Sequence, residues 1–177
     1  MSMDRSSPDQ LQLLLATEEI RQLAYRYAYA VDSRDAELMH SLWAERDGAV
    51  EYPDIDLNTV RRDHERWFSK GPTVHFVGNH LIELDDAAHA HGSVYCWAQL
   101  DLGERFVDQS ILYQDRYVLC GDGWRFLVRR HLLWFGQARE RNPIDQEPDG
   151  WPRVHYGRGS LPRDLMTPER AARYLLR

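Results

Sequence analysis

Cysteine is scarce: Cys96 and Cys120 are the only two in 177 residues, and no CxxC spacing joins them. One disulfide stays open on spacing alone, but two isolated thiols in strand-like segments read more simply as buried apolar residues of a reducing compartment. No apolar run approaches the roughly 18 residues that a membrane span needs. The stretch Met1–Gln10 is polar and has no hydrophobic region of a secretory signal, so a cytoplasmic location is expected. Basic blocks are missing too. The formal net charge is −6, and the densest arginines (Arg61, Arg62 and Arg66) are interleaved with Asp63 and Glu65. That mixture reads as a solvated helix face, not a phosphate track, and nucleic acid is not an expected partner. His75 with His80, and His89 with His91, offer imidazoles, but neither HExxH nor clustered carboxylates accompany them. No metal and no cofactor are therefore expected. GxSxG and a glycine-rich phosphate loop are also absent, and no base motif neighbours either cysteine.

What the chain does have is rings: 6 Trp, 9 Tyr and 5 Phe. These fill a core, and they also line concave sites for flat organic ligands. The length bounds the chain to a single domain, 1–177, with 43% apolar and 28% charged residues, as in ordinary globular proteins.

The order of elements is helices first and strands after. Residues 1–10 read as a disordered lead. From Pro8 the apolar spacing is helical through Leu11, Leu14 and Leu15, and again through Ile20, Leu23, Ala24, Tyr27, Ala28 and Val31. Thr17, followed by two acids, reads as a helix start. Ser33–Asp35 breaks the pattern, Ala36–Trp43 forms a short amphipathic helix, and Ala49–Tyr52 opens a first strand. Asp63–Phe68 is again helical. Thr73–Leu84, Ala88–Leu102, Phe106–Cys120 and Trp124–Phe135 then follow as long strands separated by turn residues. Because βαβ alternation is missing, the class is α+β with an antiparallel sheet. Residues 136–177, punctuated by proline and glycine, read as an irregular tail closing on a short helix capped by Thr167-Pro168.

Four stretches together resemble the SnoaL-like family of the nuclear transport factor 2-like superfamily. They are Ile20–Tyr27 running into Ala30–Asp35; Leu42–Glu45 with Asp47-Gly48 and Val50–Tyr52; Val74–His80; and Asp122–Phe126 with Arg129-Arg130. The resemblance covers about residues 15–135. It implies a cone-shaped barrel in which a strongly curved antiparallel sheet packs against N-terminal helices around an apolar pocket. It also implies a dimer or trimer built on the sheet. Scytalone dehydratase, a bile-acid dehydratase and hexachlorocyclohexane dehydrochlorinase share this fold with non-catalytic domains, so fold alone does not set activity.

By that resemblance, Asp32 at the end of the first helix orients His75 on a central strand, and His75 removes a proton from substrate carbon. A carboxylate on one ring nitrogen fixes the tautomer and stabilises the imidazolium that forms. Read one at a time, Asp32 suits a turn and His75 a strand histidine bonded to backbone. Tyr27 and Tyr52 match tyrosines that donate to a developing oxyanion, and they equally suit core rings. Arg129 matches an arginine that binds a departing anion, although regular alternation from Trp124 and Phe126 would put Arg130 on their face unless a bulge intervenes. On a regular strand Asn79 shares the face of His75 and could hold a substrate oxygen, with Tyr95 and Trp97 walling the pocket. The residues in this pattern point to a lyase or isomerase acting on a small hydrophobic cyclic substrate without a cofactor. Two other readings stand beside it. One is a non-catalytic small subunit of a ring-hydroxylating dioxygenase or a ligand-binding domain. The other is a polyketide cyclase or epoxide hydrolase that uses other carboxylates, with Asp101 and Asp115 as the strand-borne candidates.

Overall fold

The computed structural model describes residues 8–44, 71–146 and 157. The expected strand at Ala49–Tyr52, the helix at Asp63–Phe68 and the C-terminal helix lie outside them. Two helices come first, α1 (Pro8–Ser33) and α2 (Ala36–Ser41). Strands β1 (Thr73–Leu84), β2 (His89–Asp101), β3 (Phe106–Cys120) and β4 (Gly123–Arg139) follow. They pair in the order β1-β2-β3-β4, every pair antiparallel. This is the α+β arrangement expected from the order of helical and alternating patterns.

Three boundaries differ from expectation. α2 ends at Ser41, before Trp43, which forms a parallel bridge with Phe126. α1 is continuous, and Thr17 lies inside it, its hydroxyl bonded back to the Leu13 carbonyl at 2.8 Å instead of capping a new start. β4 runs past Phe135 to Arg139, because Gly136 stays extended opposite Gln109.

α1 lays Ile20, Leu23, Ala24 and Tyr27 across the inner face of the sheet. There they meet Ala90, Val94, Cys96, Ile111, Tyr113, Tyr117, Trp124 and Phe126. α2 is capped by Asp35, whose side chain accepts from the Leu38 amide at 2.8 Å. Its exit is stitched to β4: the Phe126 amide donates to Leu42 O at 2.9 Å, and the Ala44 amide to Phe126 O at 3.0 Å. Cys96 and Cys120 are both free thiols, Cys96 buried on the inner face.

Irregularities in register decide which side chains point inward. In β1, Val77 pairs with Cys96 but His80 pairs with Val94, so Gly78-Asn79 form a bulge. His75 and Val77 face inward before it, and His80, Ile82 and Leu84 after it. In β4, Phe126 opposes Tyr117 and Val128 opposes Arg116, leaving Leu127 as the extra residue. The inward set therefore passes from Trp124 and Phe126 to Arg129 and His131. Gly92 is required where it stands: a Cβ there would lie 2.5 Å from the Leu81 carbonyl oxygen and 3.4 Å from the Tyr117 ring.

Candidate functional site

Two polar constellations sit on the inner face. The first joins the end of α1 to the start of β1. Asp32 lies in the last turn of α1 and is 6% exposed. Its Oδ1 stands 2.6 Å from His75 Nδ1 and accepts from the Thr73 hydroxyl at 2.9 Å, while Oδ2 accepts from the His75 amide at 2.7 Å. A carboxylate can only accept, so His75 Nδ1 carries a proton, and in the neutral imidazole Nε2 holds the lone pair. Among the described residues Nε2 has no hydrogen-bond partner.

The helix end that presents Asp32 has an identifiable geometry. The Arg34 amide bonds to Val31 O at 3.4 Å and the Asp35 amide to Ala30 O at 3.0 Å, the paired bonds of a Schellman motif. The residue after such a helix adopts the left-handed region and is usually glycine. Here it is Arg34, at φ 66°. A side chain in that conformation costs about 1 kcal/mol. The Arg34 guanidinium folds back to donate to Val31 O, Gly71 O and Thr73 Oγ1, tying the helix end to the strand that carries His75.

The second constellation is fully interior. Arg129 donates from Nε and Nη2 to the two oxygens of Asp115, at 2.9 and 2.7 Å, with side chains 3% and 0% exposed. The rings of Tyr27, Tyr113 and Phe126 lie 4.4, 4.2 and 4.4 Å from the guanidinium carbon. The Tyr117 hydroxyl donates to Asp115 Oδ2 at 2.8 Å and lies 3.0 Å from His80 Nε2. Since the phenol proton goes to the carboxylate, His80 Nε2 must be the donor in that contact. His80 Nδ1 is buried and finds no hydrogen-bond partner among the described residues.

Electrostatics follow from this packing. Burial opposes the charge on Arg129, but Asp115 beside it more than offsets that, holding the guanidinium above its ordinary value. Burial pushes the Tyr27, Tyr113 and Tyr117 phenols up, so they stay protonated. Burial also pulls His80 down to about 4, helped by Arg129 and Arg21 and opposed by Asp115.

The structure thus brings Asp32 and His75 into contact and packs the partly buried Tyr27 against Arg129. Tyr52 lies outside the described residues. The uncertainty between Arg129 and Arg130 resolves through the bulge at Leu127, which turns Arg129 inward and leaves Arg130 exposed. Three residues expected to bind substrate stand elsewhere. The bulge at Gly78-Asn79 leaves Asn79 exposed and gives its inward place to His80. Tyr95 and Trp97 alternate with the buried Val94, Cys96 and Ala98 and so point to the outer face, 43% and 53% exposed. Asp115 proves to be the buried partner of Arg129, whereas Asp101 accepts from Asn142 and from the Gly103 amide at the sheet's end. Tyr113 and His131, whose rings meet edge-on with centroids 5.6 Å apart, complete the inner face and carried no motif signal. Among the described residues no cluster of three or more metal-ligating side chains occurs.

Comparison with known proteins agrees with this architecture. The family model of the SnoaL-like domain matches residues 12–130. The chain therefore belongs to the SnoaL-like family. It is similar to the crystal structure of a candidate scytalone dehydratase from Novosphingobium aromaticivorans (TM-score 0.64, 16% identity, 74% of this chain and 92% of that one). A hexachlorocyclohexane dehydrochlorinase from Novosphingobium barchaimii matches at TM-score 0.64 and 17% identity, over 73% and 94% of the two chains. A candidate aromatic-ring hydroxylase from Novosphingobium aromaticivorans matches at TM-score 0.62 and 17% identity, over 71% and 94%. Identities this low speak to fold alone. No curated protein matches the sequence.

The interior pair predicts a specific stability pattern. Asp115→Ala leaves a buried cation uncompensated and should cost about 3–5 kcal/mol, read by urea denaturation. The double substitution Asp115→Leu/Arg129→Met should recover most of that loss. His80 predicts an acid sensitivity. Its folded value near 4 lies below the ordinary 6.5, so unfolding takes up a proton between those pH values. Stability should fall as pH drops through that window and level off below it. His80→Gln should remove on the order of 2 kcal/mol of that fall, a figure reduced for partial exposure, when urea midpoints at pH 7 and pH 4 are compared with the parent.

Proposed function

We propose that this chain is a lyase or isomerase that removes a proton from a carbon of a small hydrophobic cyclic substrate, with His75 as base and Asp32 as its partner. The observation that carries this reading is the 2.6 Å contact between Asp32 Oδ1 and His75 Nδ1, with Nε2 left unbonded among the described residues. A base needs an available lone pair, a defined tautomer and a counter-charge for the cation it becomes, and these two residues supply all three. As the C–H bond breaks, its electrons move toward a neighbouring oxygen or expel a leaving group. Tyr27, kept protonated by burial, is the kind of donor such an oxygen requires. The Arg129 guanidinium lies against the Tyr27 ring, and its charge is already matched by Asp115, so it serves as a fixed support for the donor. Elimination is taken as the proposed chemistry by analogy with the candidate scytalone dehydratase and the dehydrochlorinase that share the fold. A non-catalytic subunit remains the rival reading, and a dyad with an unoccupied nitrogen argues against it, because a scaffold has no use for one.

The test is a screen of cyclic β-hydroxy ketones and halogenated cyclohexanes, followed by His75→Ala and Asp32→Asn on any substrate turned over. Each variant should keep the parent's circular dichroism and lose at least about 100-fold in kcat, the scale of general-base catalysis. Retained turnover in either folded variant would sink the dyad.

We also propose that the chain assembles as a homodimer or homotrimer through the outer sheet face. Phe76, Tyr95, Trp97, Trp134 and Phe135 are each 43–68% exposed there. Their rings meet in pairs across the strands, Phe76 with Trp97 and Tyr95 with Trp134. A patch of that kind is a docking surface in ordinary soluble proteins. Trp97→Lys should shift the sedimentation coefficient toward the monomer. An unchanged oligomer would move the interface elsewhere, and a monomeric parent would remove it.

A further inference from the structure

We propose that Arg34 and Thr73 are positioning residues that set the direction of the protons in the Asp32–His75 dyad, an inference that rests on the dyad reading above. The left-handed position after α1 suits glycine, yet Arg34 occupies it at φ 66°. Gly103 takes a positive φ of 86° at a hairpin turn, where glycine serves backbone geometry alone. What Arg34 adds is its side chain. Nη1 donates to Thr73 Oγ1 at 3.0 Å, and Thr73 Oγ1 lies 2.9 Å from Asp32 Oδ1.

The chemistry of the three groups leaves one arrangement. A guanidinium has donors and no acceptor, and a carboxylate has acceptors and no donor. The threonine hydroxyl between them has a single proton. It must accept from Arg34 and donate to Asp32. Asp32 Oδ1 therefore receives the threonine proton and the His75 Nδ1 proton side by side, and Oδ2 receives the His75 amide. Together these donors hold the carboxylate plane toward the imidazole. The imidazole is thereby locked with Nδ1 protonated and Nε2 as the base. Lysine could not do the same, because Arg34 spans Gly71 O and Thr73 Oγ1 with separate nitrogens of one rigid plane.

The test reads the tautomer directly and needs no substrate. The full chain, labelled with ¹⁵N-histidine, is studied by long-range ¹H–¹⁵N correlation at the imidazoles, with His75→Ala supplying the assignment. In the parent, His75 should show the Nδ1-protonated pattern and a low-field Nδ1 proton protected from solvent exchange, lost in Asp32→Asn. Thr73→Val and Arg34→Gly should each speed exchange of that proton about tenfold or more, the factor expected for losing one hydrogen bond to a charged group. Thr73→Ser should restore the parent behaviour. Arg34→Gly is the discriminating variant, since glycine is the residue that the backbone there prefers. If Arg34→Gly does not fold, Thr73→Val against Thr73→Ser decides alone. A parent His75 protonated at Nε2 would overturn the dyad reading and this proposal with it. A parent with the Nδ1 proton, unchanged in Thr73→Val and Arg34→Gly, would leave the dyad standing and overturn the positioning role.

Discussion

Burying Arg129 is the constraint on which the interior depends. A guanidinium on a side chain that is 3% exposed, in a core of aromatic rings, would be prohibitive if left alone. Its register partner across the β3–β4 ladder is Asp115, and the two meet through parallel bonds, so charge and geometry are satisfied together. Tyr117 then occupies Asp115 Oδ2, and His80 occupies Tyr117. The ring faces of Tyr27, Tyr113 and Phe126 complete the enclosure, which brings α1 into the arrangement through Tyr27. The position of the helix on the sheet is thus coupled to a charge that the sheet itself carries. Gly92 belongs to the same account, since any larger residue would drive into the Leu81 backbone and crowd the Tyr117 ring.

The dyad is built on a different principle. Its components come from a helix end and a strand beginning, distant in sequence, and they are held by donors to Asp32 instead of by enclosure in rings. Helix termini leave backbone carbonyls without partners, and a basic side chain near the C-terminus is favoured both as a hydrogen-bond donor and by the dipole. Arg34 uses that preference and extends it to the Gly71 carbonyl and the Thr73 hydroxyl. The helix cap and the support for Asp32 are one structure. Its cost in backbone strain is comparable to what one good hydrogen bond returns.

Much of this was legible in the sequence, and the remainder has a physical reason for being hidden. Helix and strand periods are local properties, so α1 and the long strands fell near their expected limits, and Asp32 and His75 stood out through motif and helix-end position. Facing direction was the weak link. Strand alternation has period two, and a single extra residue inverts it. The bulge at Gly78-Asn79 is why Asn79 is outside and His80 inside. The bulge at Leu127 is why Arg129, and not Arg130, meets Asp115. Tyr95 and Trp97 stand apart for another reason: large rings suggest a lined pocket, but alternation with Val94, Cys96 and Ala98 puts them on the far face. Asp115 was invisible as a partner because its significance arises only from the cross-strand register, which one sequence does not display. Thr17 shows the limit of capping signals, since a threonine before two acids can equally bond back within an unbroken helix.

The two polar constellations can be ranked for chemistry by what each leaves available. In the interior set, Asp115 accepts from Arg129 on both oxygens, Tyr117 spends its proton on Asp115, and His80 uses Nε2 on Tyr117. Among the described residues His80 Nδ1 is its buried atom without a hydrogen-bond partner, and the low proton affinity of that ring makes it a weak base. Every strong group there is consumed in holding another, which is the behaviour of a scaffold. The dyad is the converse. All of its donors converge on Asp32, and the His75 nitrogen remote from the carboxylate is the one left over. An imidazole whose near nitrogen is fixed and whose far nitrogen is unclaimed has its reactive atom defined by subtraction. Two networks of similar residue types on one sheet face therefore have opposite characters, and the distinction comes from counting lone pairs and protons, not from counting charged residues.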